Sequence, residues 1–227
     1  MKISSTAYVV LIVLALVGAH SPVYCDSTDG TPSTGEAQCA NLIYAGNKTS
    51  VCFSDRFLQR LQIETNIDAN PSLIKVRLDS NDLYSFPFAI MTGEGGFSLT
   101  PPERVQLSYY VTHGGFLLAS AGCSDPQWSS SFRREMALIF PKTPLITIPA
   151  NHPIYRTVYT ITDVKTTHEG RAATLEGLTY NGKIVIVFSK DGLNDTSHAE
   201  NCCCCGGDEV DQAEMINVNL FAYAMLH

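Results

Sequence analysis

Beyond residue 25, this 227-residue chain has no apolar run approaching the roughly 20 residues that a bilayer-spanning helix needs. It also lacks any basic run, and no stripe interleaves aromatic with basic residues. With 15 Lys and Arg against 22 Asp and Glu, the formal charge is −7. Nucleic acid, whose phosphates require a basic face, is therefore not an expected partner. No internal repeat occurs, which excludes a solenoid or propeller. Outside the run Cys202 to Cys205 the 8 cysteines offer no C-x-x-C pair, so a standard zinc-site spacing is not completed.

What is present begins with a leader pattern. Lys2 precedes a Val- and Leu-rich apolar stretch over residues 7–19, a basic-then-apolar layout that suits a signal peptide. Residues 1–25 are read as that signal, with cleavage after Ala19 or Cys25, and the mature chain is expected outside the cytoplasm. A lipid anchor on Cys25 is disfavoured because the large Tyr24 stands where a lipid-attachment motif has a small residue. Residues 26–38 (DSTDGTPSTGEAQ) hold no large apolar side chain and are expected to be a flexible linker. Residues 39–227 are enough for one domain with a sizeable core.

Within that domain, strand and helix signals alternate. Residues 40–45 (ANLIYA) form a short apolar run. Ser54 then offers a cap to a helix over 55–65, where Phe57, Leu58, Leu61 and Thr65 recur at helical spacing. Alternation over 73–78 and apolar runs over 86–91 and 116–121 predict three further strands. Thr100-Pro101-Pro102-Glu103 combines capping-box spacing with proline at a helix start, and Gly114-Gly115 marks that helix's end. Asp125-Pro126 opens another helix, carrying Trp128, Phe132, Met136 and Ile139. Asn181-Gly182 is a hairpin turn between strands over 173–180 and 183–189. A largely apolar helix is expected over 209–226, with Val210, Ala213, Leu220 and Ala224 toward the sheet. The fold class is therefore α/β: a mostly parallel sheet flanked by helices, with an appended antiparallel hairpin.

In parallel α/β sheets ligands sit at the carboxyl ends of the strands. Four loops meet that condition: 46–53 with Cys52, 92–97 with Glu94, 122–125 with Cys123, and 190–207 with His198 and Cys202, Cys203, Cys204 and Cys205. Cys39 starts the first strand and belongs at the opposite end. Cys123 follows a strand and precedes a helix, the placement of a nucleophile elbow, where the helix dipole would lower a thiol pKa. Asp125 stands where such elbows usually have glycine. His152 and His198 are the candidate bases and Glu94 a candidate acid–base group. For a metal site the donors would be Cys52, Cys123, His198, Cys202, Cys203, Cys204 and Cys205. These are the thiolate and imidazole ligands that Zn²⁺, Cu(I) or an iron–sulfur cluster prefers. Four consecutive thiols cannot all turn to one ion, and an exported protein can pair them as disulfides instead.

Four segments carry a family resemblance: FPFAIMTGEG over 86–95, YVTHGGFLL over 110–118, AGCS over 121–124 and NHPIY over 151–155. Together they resemble an uncharacterised bacterial domain-of-unknown-function family with a class I glutamine-amidotransferase-like, flavodoxin-like fold, over roughly residues 38–227. The resemblance implies that Cys123 occupies the superfamily's nucleophile position. It assigns no reaction, and the His-x-Glu pair that amidotransferases supply from a later loop is replaced by His152-Pro153-Ile154. Three readings remain open. The first is a metal or thiol-chemistry site on the sheet rim. The second is a hydrolase built on Cys123 with His152 or His198 as base. The third is a disulfide-stapled binding module without catalysis.

Overall fold

The computed structural model describes residues 35–200, 202 and 208–227. The leader over 1–25, most of the linker, and Cys203, Cys204 and Cys205 lie outside the described residues. A seven-stranded sheet forms the centre, in the order β2-β1-β3-β4-β7-β6-β5. Its strands are β1 (Ala37–Ile43), β2 (Ala69–Arg77), β3 (Phe88–Gly93), β4 (Phe116–Ala121), β5 (Ile146–Thr147), β6 (Leu175–Tyr180) and β7 (Lys183–Ser189). The helices are α1 (Arg56–Glu64), α2 (Pro101–Thr112), α3 (Pro126–Ile139) and α4 (Ala213–Leu226). β1, β2, β3, β4 and β7 run parallel, and β6 and β5 are appended antiparallel. The strands expected from the sequence over 40–45, 73–78, 86–91, 116–121 and 183–189 thus share one sheet.

Alternation along the strands builds a core on each face. Phe88, Ile90, Phe116, Leu118 and Val187 pack with α1 and α4, where Phe57, Leu61, Ile216 and Phe221 are buried. Ala89, Met91, Leu117, Ala119, Ile186 and Phe188 pack on the other face with α2 and α3, against Leu107, Tyr110, Trp128 and Phe132. The near-continuous apolar runs of β3 and β4 follow from this, since strands covered on both faces have no solvent side.

Local signals set the element ends. At α2 the capping box is complete: Thr100 Oγ1 accepts the Glu103 N–H, and Glu103 Oε2 accepts the Thr100 N–H at 2.7 Å. Asp125 Oδ1 caps α3 by accepting the Trp128 N–H at 2.7 Å. The Asn181-Gly182 turn has φ values of +48° and +80°, the left-handed pair that a tight hairpin needs.

Several boundaries differ from the sequence reading, and three of them have a plain local cause. β1 begins at Ala37, inside the stretch read as linker, because the Ala37 N–H finds the Asp68 carbonyl at 2.8 Å. The residue next to α1 is Asp55, which makes no side-chain cap bond, while Ser54 is buried one position earlier and its Oγ accepts the Arg56 N–H. α4 starts at Ala213, because Val210 instead bridges to Thr166 ahead of the helix. Its apolar character is explained by burial from Ile216 through Tyr223.

Candidate functional site

The carboxyl ends of β1, β3, β4 and β7 form one rim, and the loops named from the sequence emerge there. A buried polar hub organises it. Asn194, fully buried in the loop after β7, donates from Nδ2 to the Cys52 carbonyl at 2.5 Å and to Thr92 Oγ1 at 2.8 Å. Its Oδ1 accepts from Ser120 Oγ, and its backbone carbonyl accepts the Ser54 N–H at 2.9 Å. Ser120 Oγ also accepts the Leu193 N–H at 2.7 Å. One side chain therefore ties together the ends of β3 and β4 and the loop after β1.

The second tie is covalent. Cys52 and Cys202 form a disulfide with Cα atoms 4.9 Å apart, joining the loops after β1 and β7. Cys123 is disulfide-bonded too. With Cys52 and Cys202 paired to each other and Cys39 a free thiol, its partner is not among the described residues.

Cys123 stands in a left-handed turn, φ +51° and ψ +30°, between β4 and α3, and Ser124 follows at φ +54°. Such angles strain a residue that carries a Cβ and are found where neighbours hold them in place. The holding contacts are on either side. Ser124 Oγ donates to the carbonyls of Asp191 and Asp208 at 3.0 and 3.1 Å, and Asp125 caps α3. Gly122 presses on the Gly93 carbonyl, which a Cβ would approach to 2.9 Å. A Cβ on Gly93 would in turn come within 2.5 Å of Tyr44 Oη. That hydroxyl accepts from Trp128 Nε1 at 2.6 Å and donates to the Thr92 carbonyl at 3.1 Å. Burial pushes the Tyr44 hydroxyl up to about 12, against the lowering pull of Trp128, so it stays protonated beneath the rim.

Glu94 is exposed on the loop after β3, and its Oε1 lies 3.1 Å from Cys123 Sγ. A disulfide sulfur has no proton to donate, so this is a contact and not a hydrogen bond. Lys48 Nζ donates to the Glu94 carbonyl at 3.1 Å. His198 is exposed on the loop after β7, its Nδ1 2.8 Å from Asp195 Oδ1. Further along, Glu209 Oε2 accepts from the N–H and hydroxyl of Thr196, and burial raises the Glu209 carboxyl above its ordinary value.

The rim thus gathers Cys52, Glu94, Cys123, His198 and Cys202. It does not gather His152, whose half-buried ring lies 5.7 Å from that of Tyr223. Tyr223 in turn packs on Phe116 and accepts the Ile184 N–H, at the starts of β4 and β7. A strand of six residues or so separates the two ends, about 17–20 Å. Burial, then the nearby His227, holds the His152 pKa below its usual value, so the ring is neutral near pH 7. Among the described residues no group of three His, Cys, Asp or Glu side chains stands close enough to hold an ion.

A family model described as a domain of unknown function, DUF4159, matches residues 39–225. The chain belongs to this family. No curated protein matches the sequence. In this DUF4159 domain, the residues that sequence reasoning passed over are the polar ones at strand ends, Thr92 and Ser120, with Asn194 opposite. A lone hydroxyl closing an otherwise apolar strand was the available signal. Asn194 also heads an Asn-Asp-Thr glycosylation sequon, but both ends of its amide are engaged and it is fully buried. The folded DUF4159 domain therefore cannot accept a glycan there.

Cys39 lies where the sequence placed it, near the start of β1 beside Phe88 and away from the rim. It is fully buried and free, and burial pushes its thiol well above the ordinary value. A native protein mixed with iodoacetamide at pH 8 should leave Cys39 unmodified, and the same reagent should label it after unfolding in guanidinium. Fast labelling of Cys39 in the native state, read by peptide mass spectrometry, would contradict this placement.

Proposed function

We propose that this domain is an extracytoplasmic thiol–disulfide module whose working surface is the carboxyl rim of the sheet. In this reading it is an exported bacterial protein on a class I glutamine-amidotransferase-like scaffold. Residues 1–25 direct export, a short linker follows, and the domain begins with β1 at Ala37. The observation that carries the reading is the Cys52–Cys202 bridge, which locks two rim loops beside the strained Cys123 turn. Disulfides persist in oxidising compartments and are rare in the cytosol.

Two-electron reduction by an external dithiol would turn the Cys52–Cys202 bridge into two thiols. A second two-electron reduction by the same dithiol would open the Cys123 disulfide, and Cys52, Cys123, Cys202 and His198, with Cys203, Cys204 and Cys205, would then be the donor set for a soft or borderline ion such as Zn²⁺, Cu(I) or iron. While Cys52, Cys123 and Cys202 are held in disulfides they offer no thiolate, so their metal uptake belongs to the reduced form. The same reasoning weighs against a hydrolase in that state, because a sulfur already in a disulfide is not a nucleophile. His152 gives the hydrolase no support either, since it stands at the other end of the sheet.

The test compares the two redox forms. Protein isolated from an oxidising compartment should yield the Cys52–Cys202 cross-linked peptide and bind no stoichiometric Zn²⁺. After anaerobic reduction it should take up about one equivalent or more, releasing protons and binding less tightly as pH falls. The Cys52→Ser, Cys202→Ser double variant should lose that uptake. Equal Zn²⁺ binding by oxidised and reduced protein, or a reduced Cys52 in the isolated material, would overturn the reading.

A further inference from the structure

The rim disulfides are alike in access and unlike in charge. Cys52, Cys123 and Cys202 are all half-buried, so exposure does not decide which bridge an external thiol opens first. Their immediate neighbours differ. Cys52 is held by neutral groups, its N–H donating to Ser50 Oγ at 3.0 Å and its carbonyl accepting from Asn194 Nδ2. Cys123 has a carboxylate against the sulfur itself, Glu94 Oε1 at 3.1 Å. Glu94 is fixed in that place from two sides. Its backbone carbonyl accepts from Lys48 Nζ at 3.1 Å, and its Cγ rests over Gly122, where an added Cβ would come within 3.3 Å.

A helix start ordinarily favours negative charge on a neighbouring sulfur. At α3 that advantage is contested. Asp125 Oδ1 already accepts the Trp128 N–H in the first turn, and Glu94 adds a second carboxylate beside Cys123. Lys48 is the cation of this corner, and its ammonium is engaged by the Glu94 carbonyl. Thiol–disulfide exchange carries negative charge along three sulfurs in line, the attacking, the central and the leaving one. Cys123 Sγ bears part of that charge whether it is attacked or leaves. The carboxylate therefore slows both routes. Unit charges about 4 Å apart in water interact strongly enough for roughly a fivefold change in rate.

We propose that Glu94 sets the order of reduction at the rim, its carboxylate keeping the Cys123 disulfide closed until the Cys52–Cys202 bridge has opened. This rests on the thiol–disulfide reading of the rim and deepens it. An external dithiol supplies each step. One of its thiolates attacks, the protein S–S bond breaks as a mixed disulfide forms, and the reagent's second thiol then closes the reagent's own disulfide. Two electrons and two protons pass to the protein, which is left with two thiols. The first such step frees the loops after β1 and β7 from each other, while the sulfur in the turn before α3 stays oxidised.

The experiment is timed reduction of the oxidised protein with dithiothreitol, quenched with iodoacetamide and read at each cysteine by peptide mass spectrometry. Cys52 and Cys202 should become alkylated first, and Cys123 after them. Glu94 is exposed, so Glu94→Gln and Glu94→Lys should both keep the fold. Glu94→Gln should speed the opening at Cys123 by roughly 3–10-fold and Glu94→Lys further, with Cys52 and Cys202 within about twofold of the parent. Salt at about 0.5 M should narrow the gap between parent and Glu94→Gln, because it screens an exposed charge. Loss of a merely structural contact would make Gln and Lys act alike and would not respond to salt. Cys123 opening before Cys52 and Cys202 in the parent, or at the parent's rate in both variants, would overturn the proposal. Failure of the underlying reading shows separately, as absence of the Cys52–Cys202 peptide before any reductant is added.

Discussion

Replacing Asn194 by alanine is expected to destabilise the domain by about 3–5 kcal/mol. Three hydrogen bonds vanish together, and the Cys52 carbonyl, Thr92 Oγ1 and Ser120 Oγ each lose a partner inside the protein. Each buried group so orphaned costs about 1–3 kcal/mol, and the small cavity adds to that. Asn194→Asp should be nearly as damaging, since a carboxylate cannot donate to the Cys52 carbonyl and would be a buried charge. Denaturant unfolding of the oxidised proteins measures the loss. A change under 1 kcal/mol would mean that water replaces the amide and that the hub does not hold the rim.

Removing the Cys52–Cys202 bridge should have an effect of similar size by a different route. The two residues are 150 positions apart, so the bridge closes almost the whole domain into one loop. Chain-entropy reasoning gives roughly 5 kcal/mol for a loop of that length, and strain or residual structure commonly reduces the figure to about 2–4 kcal/mol. The Cys52→Ser, Cys202→Ser double variant should therefore unfold at markedly lower denaturant. Because the effect acts on the unfolded chain, the native hydrogen bonds of Asn194 should persist. A double variant as stable as the parent would show that the bridge constrains nothing that folding must order.

The fold was legible wherever a local cause decides local structure. Thr100 and Glu103 cap α2 because their spacing permits only that reciprocal bond, and Asn181-Gly182 makes a turn because few other pairs accept its angles. Sheet order was not legible, since the strand runs show that β1 and β3 are buried but not which strands flank them. β5 has two residues, Ile146 and Thr147, and both are exposed, so no periodicity marks it. The rim loops could be named in advance because parallel strands place their carboxyl ends together. The pairing of Cys52 with Cys202 could not, because cysteine spacing alone fits many connectivities. His152 was grouped with Cys123 on chemistry alone. It lies at the far end because the stretch carrying it packs on the last turns of α4, a contact between segments some 70 residues apart in sequence.

The burial of Cys39 bears on how the correct cross-link is reached. A chain made from its N-terminus presents Cys39 and Cys52 to each other long before Cys202 exists, and an oxidant acting on the nascent segment would join these first neighbours. Thiol–disulfide exchange needs an accessible thiolate, and β1 withdraws that sulfur into the core with its pKa raised. In the folded domain the withdrawn Cys39 therefore cannot attack the Cys52–Cys202 bridge, and the cross-link is shielded from exchange with its nearest thiol in sequence.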